Sequence, residues 1–170
     1  ISGGANNVTL SHLDISCTHD SALTVIEQSN LRVRRCHIHH CGSTGIQARD
    51  QSRLNVDQCV VSNNHNDGIK SEGSNTKVFI RSSHLLNNYD GVWCRNGGYI
   101  KIFSTWIFNN DANGVRVEGV GSVLTHNNCH IFTNSRINCE TSDKYCTLLG
   151  TNVGPPTDKE IEALITSDRK

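Results

Sequence analysis

The stretch Asp67–Lys70 reads DGIK, and the stretch Asp90–Trp93 reads DGVW. Both stretches begin with an aspartate, a glycine and a β-branched residue, and they differ in the fourth residue, which is lysine in one and tryptophan in the other. Glycines of this pattern recur every 23 residues, at Gly45, Gly68, Gly91 and Gly114, and Ala22 holds the same place one repeat earlier. A constant period of this length predicts a chain of stacked, equivalent coils.

Composition limits the function classes. The chain has 170 residues, 16 lysines and arginines, 16 aspartates and glutamates, and a formal net charge of zero. A neutral chain of this length suits a single domain and lacks the bulk positive charge that nucleic acid or an acidic membrane surface would attract. It also has no apolar run long enough to cross a bilayer. We therefore expect a protein or polysaccharide ligand, with no nucleic-acid partner and no membrane partner.

Within each repeat, apolar and polar residues alternate in short blocks, as in LNVDQCVV from Leu54 and YIKIFSTWIF from Tyr99. Such alternation is typical of short β-strands and not of helices. A repeat this short cannot bury its own core, whereas stacking one repeat on the next can. The expected structure is a coil of parallel strands. Because the chain begins at Ile1 and contains no methionine, we expect a fragment whose upstream domains are missing.

Equivalent positions in stacked coils must hold side chains that tolerate like neighbours about 4.8 Å away. Two inward columns satisfy this demand: Leu13, Cys36, Cys59, Ser83, Thr105, Cys129, and Ile15, Ile38, Val61, Leu85, Ile107, Ile131. A third column, at a turn, holds Asn63 and Asn64, Asn87 and Asn88, Asn109 and Asn110, and Thr133 and Asn134. Stacked amides can hydrogen-bond along the stacking axis, so this column predicts an asparagine ladder.

The glycine-led strand, the apolar columns and the asparagine column over residues 1–134 resemble the repeats of right-handed parallel β-helices. The resemblance implies an all-β, right-handed, single-stranded parallel β-helix of about six 23-residue coils. Families with this fold include pectate lyases, polygalacturonases, alginate epimerases, phage tailspikes and the non-enzymatic β-helix domains of F-box substrate receptors. The resemblance therefore predicts the fold more sharply than the function.

The period breaks after Asn134, and residues 135–170 are expected to form a C-terminal cap. Within it, Thr157 as N-cap and Glu160 three residues later form a capping box for a short helix over residues 158–167. One face of that helix would carry Ile161, Leu164 and Ile165. Such a cap would shield the unpaired strand edges of the last coil from end-to-end association.

In the strand after each repeat glycine, alternate residues face outward. One outward column reads Thr24, Gln47, Lys70, Trp93, Arg116, and the next reads Ile26, Arg49, Glu72, Arg95, Glu118. The candidate binding strip consists of Lys70, Trp93, Arg116, Arg49, Glu72, Arg95 and Glu118. An exposed Trp93 between two cations would stack on a sugar or anchor a protein chain. The alternative is a solvated, self-neutralising face in which Arg49 pairs with Glu72 and Arg95 pairs with Glu118.

Asp67 and Asp90, with Asn113, lie at the edge of this strip and are the candidate catalytic residues. The resemblance to enzymes that cut acidic polysaccharides implies a role for Asp as base or metal ligand. Of the polygalacturonase motifs, only a faint similarity at Asn66–Gly68 is present, and two carboxylates in one column do not establish a calcium site. The other interpretation is that each carboxylate caps its own turn before the glycine.

A second candidate patch occupies outward positions of the preceding strand. Trp106, Phe108 and Phe132 would form a contiguous apolar surface there. We expect either the C-terminal helix or a second protein to cover this patch.

The stretch CHIHHC at Cys36–Cys41 places His37 and His39 on the same side of a strand. Because the following coil offers Val60 and Ser62 there, we expect no metal site. The inward positions of Cys36, Cys59, Cys94 and Cys129 suit free thiols that pack as small hydrophobes, which favours a cytoplasmic or nuclear location. An extracellular location stays open, as do Cys36–Cys59 and Cys139–Cys146 disulfides.

Two functions compete for this sequence. The first is a rigid, non-catalytic β-helix module that presents the strip or the patch to a protein or a glycan. The second is a polysaccharide lyase or glycoside hydrolase that uses Asp67 and Asp90 on the same face. Because the enzyme motifs are missing, we predict the binding module, without a cofactor.

Overall fold

A computed structural model describes residues 1–141, 147–152, 155 and 157 of the chain. These residues form short β-strands and, within the described ranges, no helix. The strands are β1 (Val8–Ser11), β2 (Asp14–Ser16), β3 (Leu23–Val25), β4 (Asn30–Arg34), β5 (His37–His39), β6 (Ile46–Arg49), β7 (Arg53–Asp57), β8 (Val60–Ser62), β9 (Ile69–Glu72), β10 (Lys77–Arg81), β11 (His84–Leu86), β12 (Val92–Arg95), β13 (Tyr99–Phe103), β14 (Trp106–Phe108), β15 (Val115–Glu118), β16 (Val123–Phe132), β17 (Cys139–Thr141) and β18 (Thr147–Asn152).

Each complete coil contributes one strand to each of three parallel sheets. The first sheet stacks β1, β4, β7, β10, β13, β16 and β18; the second stacks β2, β5, β8, β11, β14 and β16; the third stacks β3, β6, β9, β12, β15 and β17. The strand β16 belongs to two sheets because it runs through the bend between them. The predicted coil of parallel strands is therefore confirmed.

The repeated glycines are required by close approach between coils. A Cβ atom on Gly68 would lie 2.7 Å from the carbonyl oxygen of Gly91, and one on Gly91 would lie 2.5 Å from that of Gly114. The same atom on Gly91 would lie 2.9 Å from the side-chain nitrogen of Asn110. At Gly68 and Gly91 a Cβ atom would collide with the backbone of the next coil, so glycine is required at these two positions. The glycine period thus marks places where the backbones of successive coils pass close to each other.

The asparagine ladder is present at the turn between the second and third sheets. Asn88 is fully buried, and its Oδ1 accepts hydrogen bonds from the backbone N and the Nδ2 of Asn64, at 3.2 and 2.9 Å. Its Nδ2 donates to Asn110 Oδ1 at 3.2 Å and to the carbonyl of Val61 at 3.1 Å. Asn110 in turn donates to Asn134. The ladder satisfies polar groups that the turn would otherwise bury unpaired.

The interior contains the predicted columns, except at Leu13 of the first coil, and Ile15 of the same coil packs against the core. The fully buried aliphatic column holds Ile38, Val61, Leu85, Ile107 and Ile131. Leu13, predicted to face inward with Cys36, is instead 43% exposed, so that prediction is wrong. Leu13 lies in the first coil and has a stacked neighbour on one side only. All seven cysteines in the described ranges are free thiols.

The parallel coil continues past Asn134, where the sequence analysis placed its end. β17 pairs with β15, and β18 pairs with β16, so the described coils reach Asn152. The helix predicted over residues 158–167 lies outside the described residues. Among the residues that the structure describes, no helix has the length and apolar character to cross a membrane.

Candidate functional site

A polar cleft of about 310 Å³ lies along the start of the third sheet. Stacking brings the turn before each repeat glycine, and the outward residue after it, to the same edge of four successive coils. The lining residues are Ser43, Thr44, Gln47, Asn66, Asp67, Lys70, Tyr89, Asp90, Trp93 and Arg116. The cleft therefore unites Lys70, Trp93 and Arg116 of the candidate strip with both candidate catalytic carboxylates.

Asp90 is fully buried and stabilises the turn of the following coil. Its Oδ1 accepts hydrogen bonds from the backbone N and the Nδ2 of Asn113, at 2.8 and 2.9 Å. Its Oδ2 lies 3.6 Å from Arg116 Nη1. The carboxylate thus caps a turn, but the turn belongs to the next coil and not to its own.

Asp67 lines the cleft and is only 4% exposed. Burial raises the pKa of Asp67 to about 7, with a further contribution from the negative charge of Asp90 and a smaller opposing one from Lys70 and Arg116. The carboxyl therefore holds a proton up to about neutral pH. A protonated carboxyl both donates and accepts hydrogen bonds, which suits a ligand that carries hydroxyl groups.

Trp93 is half-buried between stacked cations. Lys70 Nζ lies 4.6 Å from the indole centroid, Arg95 Cζ 4.7 Å and Arg116 Cζ 4.9 Å. Lys70 and Arg116 come from the coils on either side of Trp93, so cations from both neighbouring coils lie over its ring. These cation–π contacts stabilise the indole but occupy the surface that a sugar would stack on. Trp93 is thus not the exposed platform that the sequence predicted.

The salt bridges of the strip differ from the predicted ones. Glu72 is bound by Lys70 through one oxygen and by Arg95 through the other, both at 3.2 Å. Arg49 instead lies 3.7 Å from Asp50. The predicted Arg49–Glu72 pair is wrong, because both oxygens of Glu72 are already engaged.

Arg116 completes the charge balance of the strip. Its Nη2 lies 3.0 Å from Glu118 and its Nη1 contacts the buried Asp90. The predicted Arg95–Glu118 pair is therefore also wrong. Each charge of the strip has an opposite partner within the described residues, as in the self-neutralising alternative.

The second candidate patch is assembled as the sequence suggested. Trp106 and Phe132 are 6.3 Å apart between ring centroids, and Phe108 stacks on Phe132 at 5.2 Å with planes 5° apart. All three rings are half-buried. The C-terminal residues that we expected to cover them lie outside the described residues.

The outer face of the first sheet carries a positive charge that the sequence analysis missed. Along β4, β7, β10 and β13, the outward cations are Arg32, Arg34, Arg53, Lys77, Arg81 and Lys101, and the outward acid is Asp57. The four arginines and Asp57 border a cleft of about 420 Å³ with Phe79 and Phe103. Hydrogen bonding to Arg81, together with Arg34, lowers the pKa of Asp57. The formal net charge of zero does not indicate this positive face, because most of the aspartates and glutamates that balance its cations lie on other surfaces.

One group of possible metal ligands is found within the described ranges: Asp14, His37 and His39 on the second sheet. The coil that follows the histidines offers Val60 and Ser62, whereas the coil that precedes them supplies Asp14. Burial first, and then the charge of His39, lowers the pKa of His37. Burial thus favours the neutral form of His37.

A family model described as a right-handed β-helix region matches residues 1–153 of the chain. The chain belongs to the right-handed β-helix family. The match agrees with the three stacked parallel sheets and with the continuation of the coil past Asn134. No curated protein matches the chain, and no solved structure matches it. Because β-helices serve many functions, the function of this one has to be inferred from its surface.

Proposed function

We propose that this β-helix is a rigid, non-catalytic module that binds a glycan in the cleft of the third sheet. The observation that carries the proposal is the lining of the cleft. Hydroxyl, amide and carboxyl groups from three successive coils, with Arg116 of a fourth, line one groove beside the rings of Tyr89 and Trp93. Sugar hydroxyls both donate and accept hydrogen bonds, so a mixed lining of this kind suits them.

Tyr89 supplies the aromatic surface that Trp93 lacks. It is 42% exposed and lies on the turn before Gly91, at the cleft. An aromatic ring with a polar tip can pack against a sugar and hydrogen-bond to it. Trp93, fixed between cations, forms a rigid wall instead. A wall that is already ordered lowers the entropy cost of binding.

The charge pattern favours a neutral glycan in this cleft. Lys70 is engaged with Glu72, and Arg116 with Glu118 and Asp90. A uronate or sulfate group would have to break one of these pairs. Asp67 would repel it further whenever its own proton is lost.

Two properties of Asp90 support binding without turnover. Asp90 is fully buried; its Oδ1 accepts two hydrogen bonds from Asn113, and its Oδ2 lies 3.6 Å from Arg116 Nη1. Hydrolysis of a glycosidic bond ordinarily needs two carboxyl groups that reach the bond from different sides. Among the described lining residues, Asp67 is the one acid with any exposed surface, at 4%. The second carboxyl group that hydrolysis needs is therefore missing from this lining.

The proposal is tested on an array of neutral and acidic glycans. We expect the wild type to bind neutral glycans, and Tyr89→Ala and Gln47→Ala to bind them at least about tenfold more weakly, which is about 1.4 kcal/mol. Phe108→Ala, which removes a half-buried ring on another sheet, is the matched control and should bind like the wild type. Binding that depends on Arg53 of the first sheet, or no glycan binding at all, would overturn the proposal and favour another surface or a protein partner.

Polysaccharide cleavage by a lyase or hydrolase is the second candidate function. The pKa of about 7 at Asp67 favours it, because a carboxyl that titrates near neutral pH suits a general acid. The test is to incubate each bound glycan with wild type and with Asp67→Asn and to measure new reducing ends and unsaturated products. Products that vanish with Asp67→Asn would replace the binding proposal, whereas binding without products supports it.

A further inference from the structure

Asp14, His37 and His39 converge at the outer face of the second sheet, away from the cleft. Asp14 Oδ1 lies 2.6 Å from His39 Nε2 and 3.6 Å from His37 Nδ1. The two imidazole rings stack with centroids 4.2 Å apart. All three potential ligand atoms lie within 4.8 Å of one another.

Parallel pairing explains why these residues meet. His37 and His39 are two positions apart on β5, so both side chains leave the same face of the sheet. Asp14 is in register with His37 on the adjacent strand β2 and is therefore a diagonal neighbour of His39. The arrangement follows from backbone register and needs no rearrangement of the coil.

Two imidazoles and one carboxylate are a common ligand set for first-row divalent cations. With metal–ligand bonds of about 2.0–2.1 Å, ligand atoms in a tetrahedral site lie about 3.3–3.4 Å apart. The observed 2.6 and 3.6 Å lie on either side of that value, and all three ligand atoms lie within 4.8 Å of one another, so side-chain rotations on a fixed backbone would bring them to an ion.

The remaining ring nitrogens are already oriented by neighbours. His37 Nε2 lies 3.1 Å from Ser62 Oγ, and His39 Nδ1 lies 2.7 Å from His40 Nδ1. Contacts of this kind hold ligand histidines in one orientation and favour the tautomer that presents the free nitrogen to the ion.

We propose that Asp14, His37 and His39 form a binding site for a divalent first-row transition cation such as Zn²⁺. Three protein ligands leave at least one coordination position open to solvent, where water or a ligand group from another molecule can bind. The open position and the exposure of Asp14 make the site weaker than a closed, four-ligand structural site.

Calorimetric titration of the full chain with ZnCl₂ at neutral pH tests the site. The wild type is expected to bind one equivalent, and Asp14→Asn and His39→Gln to bind it at least about tenfold more weakly. His65→Gln replaces an exposed histidine that is not part of the group; it is the matched control and should bind like the wild type. Because Asp14 and His37 are exposed and His39 is half-buried, the variants should keep the fold, which far-ultraviolet circular dichroism checks.

The visible spectrum of the Co²⁺-loaded protein gives an independent readout. Intense bands of four-coordinate Co²⁺ are expected for the wild type and for His65→Gln and should disappear in His39→Gln. Zn²⁺ binding that is equal in wild type, Asp14→Asn and His39→Gln would place the ion elsewhere. A wild type that binds no Zn²⁺ at millimolar concentration would also overturn the proposal.

Discussion

Replacing Asp67 by asparagine is expected to stabilise the protein at alkaline pH and to change its stability little in acid. Burial, with help from Asp90, raises the pKa of Asp67 from 3.8 to about 7. The folded state therefore holds this proton more tightly than the unfolded chain does. Wild-type stability should fall as the pH rises from about 4 to about 7. Asparagine has the same shape and no charge, so the variant escapes this loss.

The magnitude follows from the two pKa values. The gap between 3.8 and about 7 corresponds to at most about 4 kcal/mol, at about 1.36 kcal/mol for each pKa unit. Relaxation and water penetration around a buried charge reduce this figure. We expect Asp67→Asn to raise the free energy of unfolding by roughly 2–4 kcal/mol at about pH 8 and by less than roughly 1 kcal/mol at about pH 4.

Urea unfolding of wild type and Asp67→Asn at both pH values measures the difference. Asp57→Asn is a control of opposite sign, because Arg81 and Arg34 lower the pKa of Asp57. The Asp57 ion pairs stabilise the fold above the ordinary pKa of 3.8 and are lost as the pH falls through the lowered value. The conclusion that Asp67 is buried with a raised pKa would be refuted in two cases. One is a free energy of unfolding of Asp67→Asn that differs from that of the wild type equally at both pH values, and the other is a lower stability of Asp67→Asn at about pH 8.

Three further predictions concern the coil itself. Asn88→Ala removes four hydrogen bonds of the buried ladder and should lower the free energy of unfolding in urea by about 2–4 kcal/mol. Asn87→Gly, at the exposed ladder position, should lower it by no more than about 1 kcal/mol. Equal losses in the two variants would contradict the claim that the buried amides of the ladder stabilise the coil. Gly91→Ala sets a Cβ atom against the next coil's backbone and should cost about 3 kcal/mol or more in thermal unfolding; a stable variant would show that the coils are not so close. Cys59, whose pKa burial raises to about 11, should resist a disulfide reagent in the native protein while Cys17 reacts, and rapid labelling of Cys59 would argue against its burial.

The repeated parts of the fold were predictable because stacking places equivalent residues of successive coils next to each other. The glycine at position 91 recurs wherever one coil touches the next, and Asn88 recurs wherever the turn must pair its amides. Positions with neighbours on both sides, such as Ile107, follow the column pattern closely. Leu13 departs from it because the first coil has a stacked neighbour on one side only.

The contacts between surface side chains were less predictable, because each long charged side chain has several possible partners within reach. Glu72 faces three cations with two oxygens, and periodicity does not tell which cation is left out. Periodicity likewise identifies Trp93 as outward without showing that the flanking cations fold over its ring. Asp14 could have been found by carrying the histidine column one coil backwards.

The positive face of the first sheet was missed for a different reason. Net charge averages over all faces, whereas Arg32, Arg53 and Lys77 become neighbours only when the outward columns are aligned in register. Separate charge totals for the outward columns of each strand would have found this face.

Hydrogen–deuterium exchange, with and without the neutral glycan that binds best on the array, tests the central claim most directly. If the glycan occupies the cleft, backbone amides in residues 43–47, 66–70 and 89–93 should exchange more slowly in its presence. The first sheet should remain unchanged. Protection confined to the first sheet around Arg53, or no protection anywhere, would contradict a binding site in the cleft.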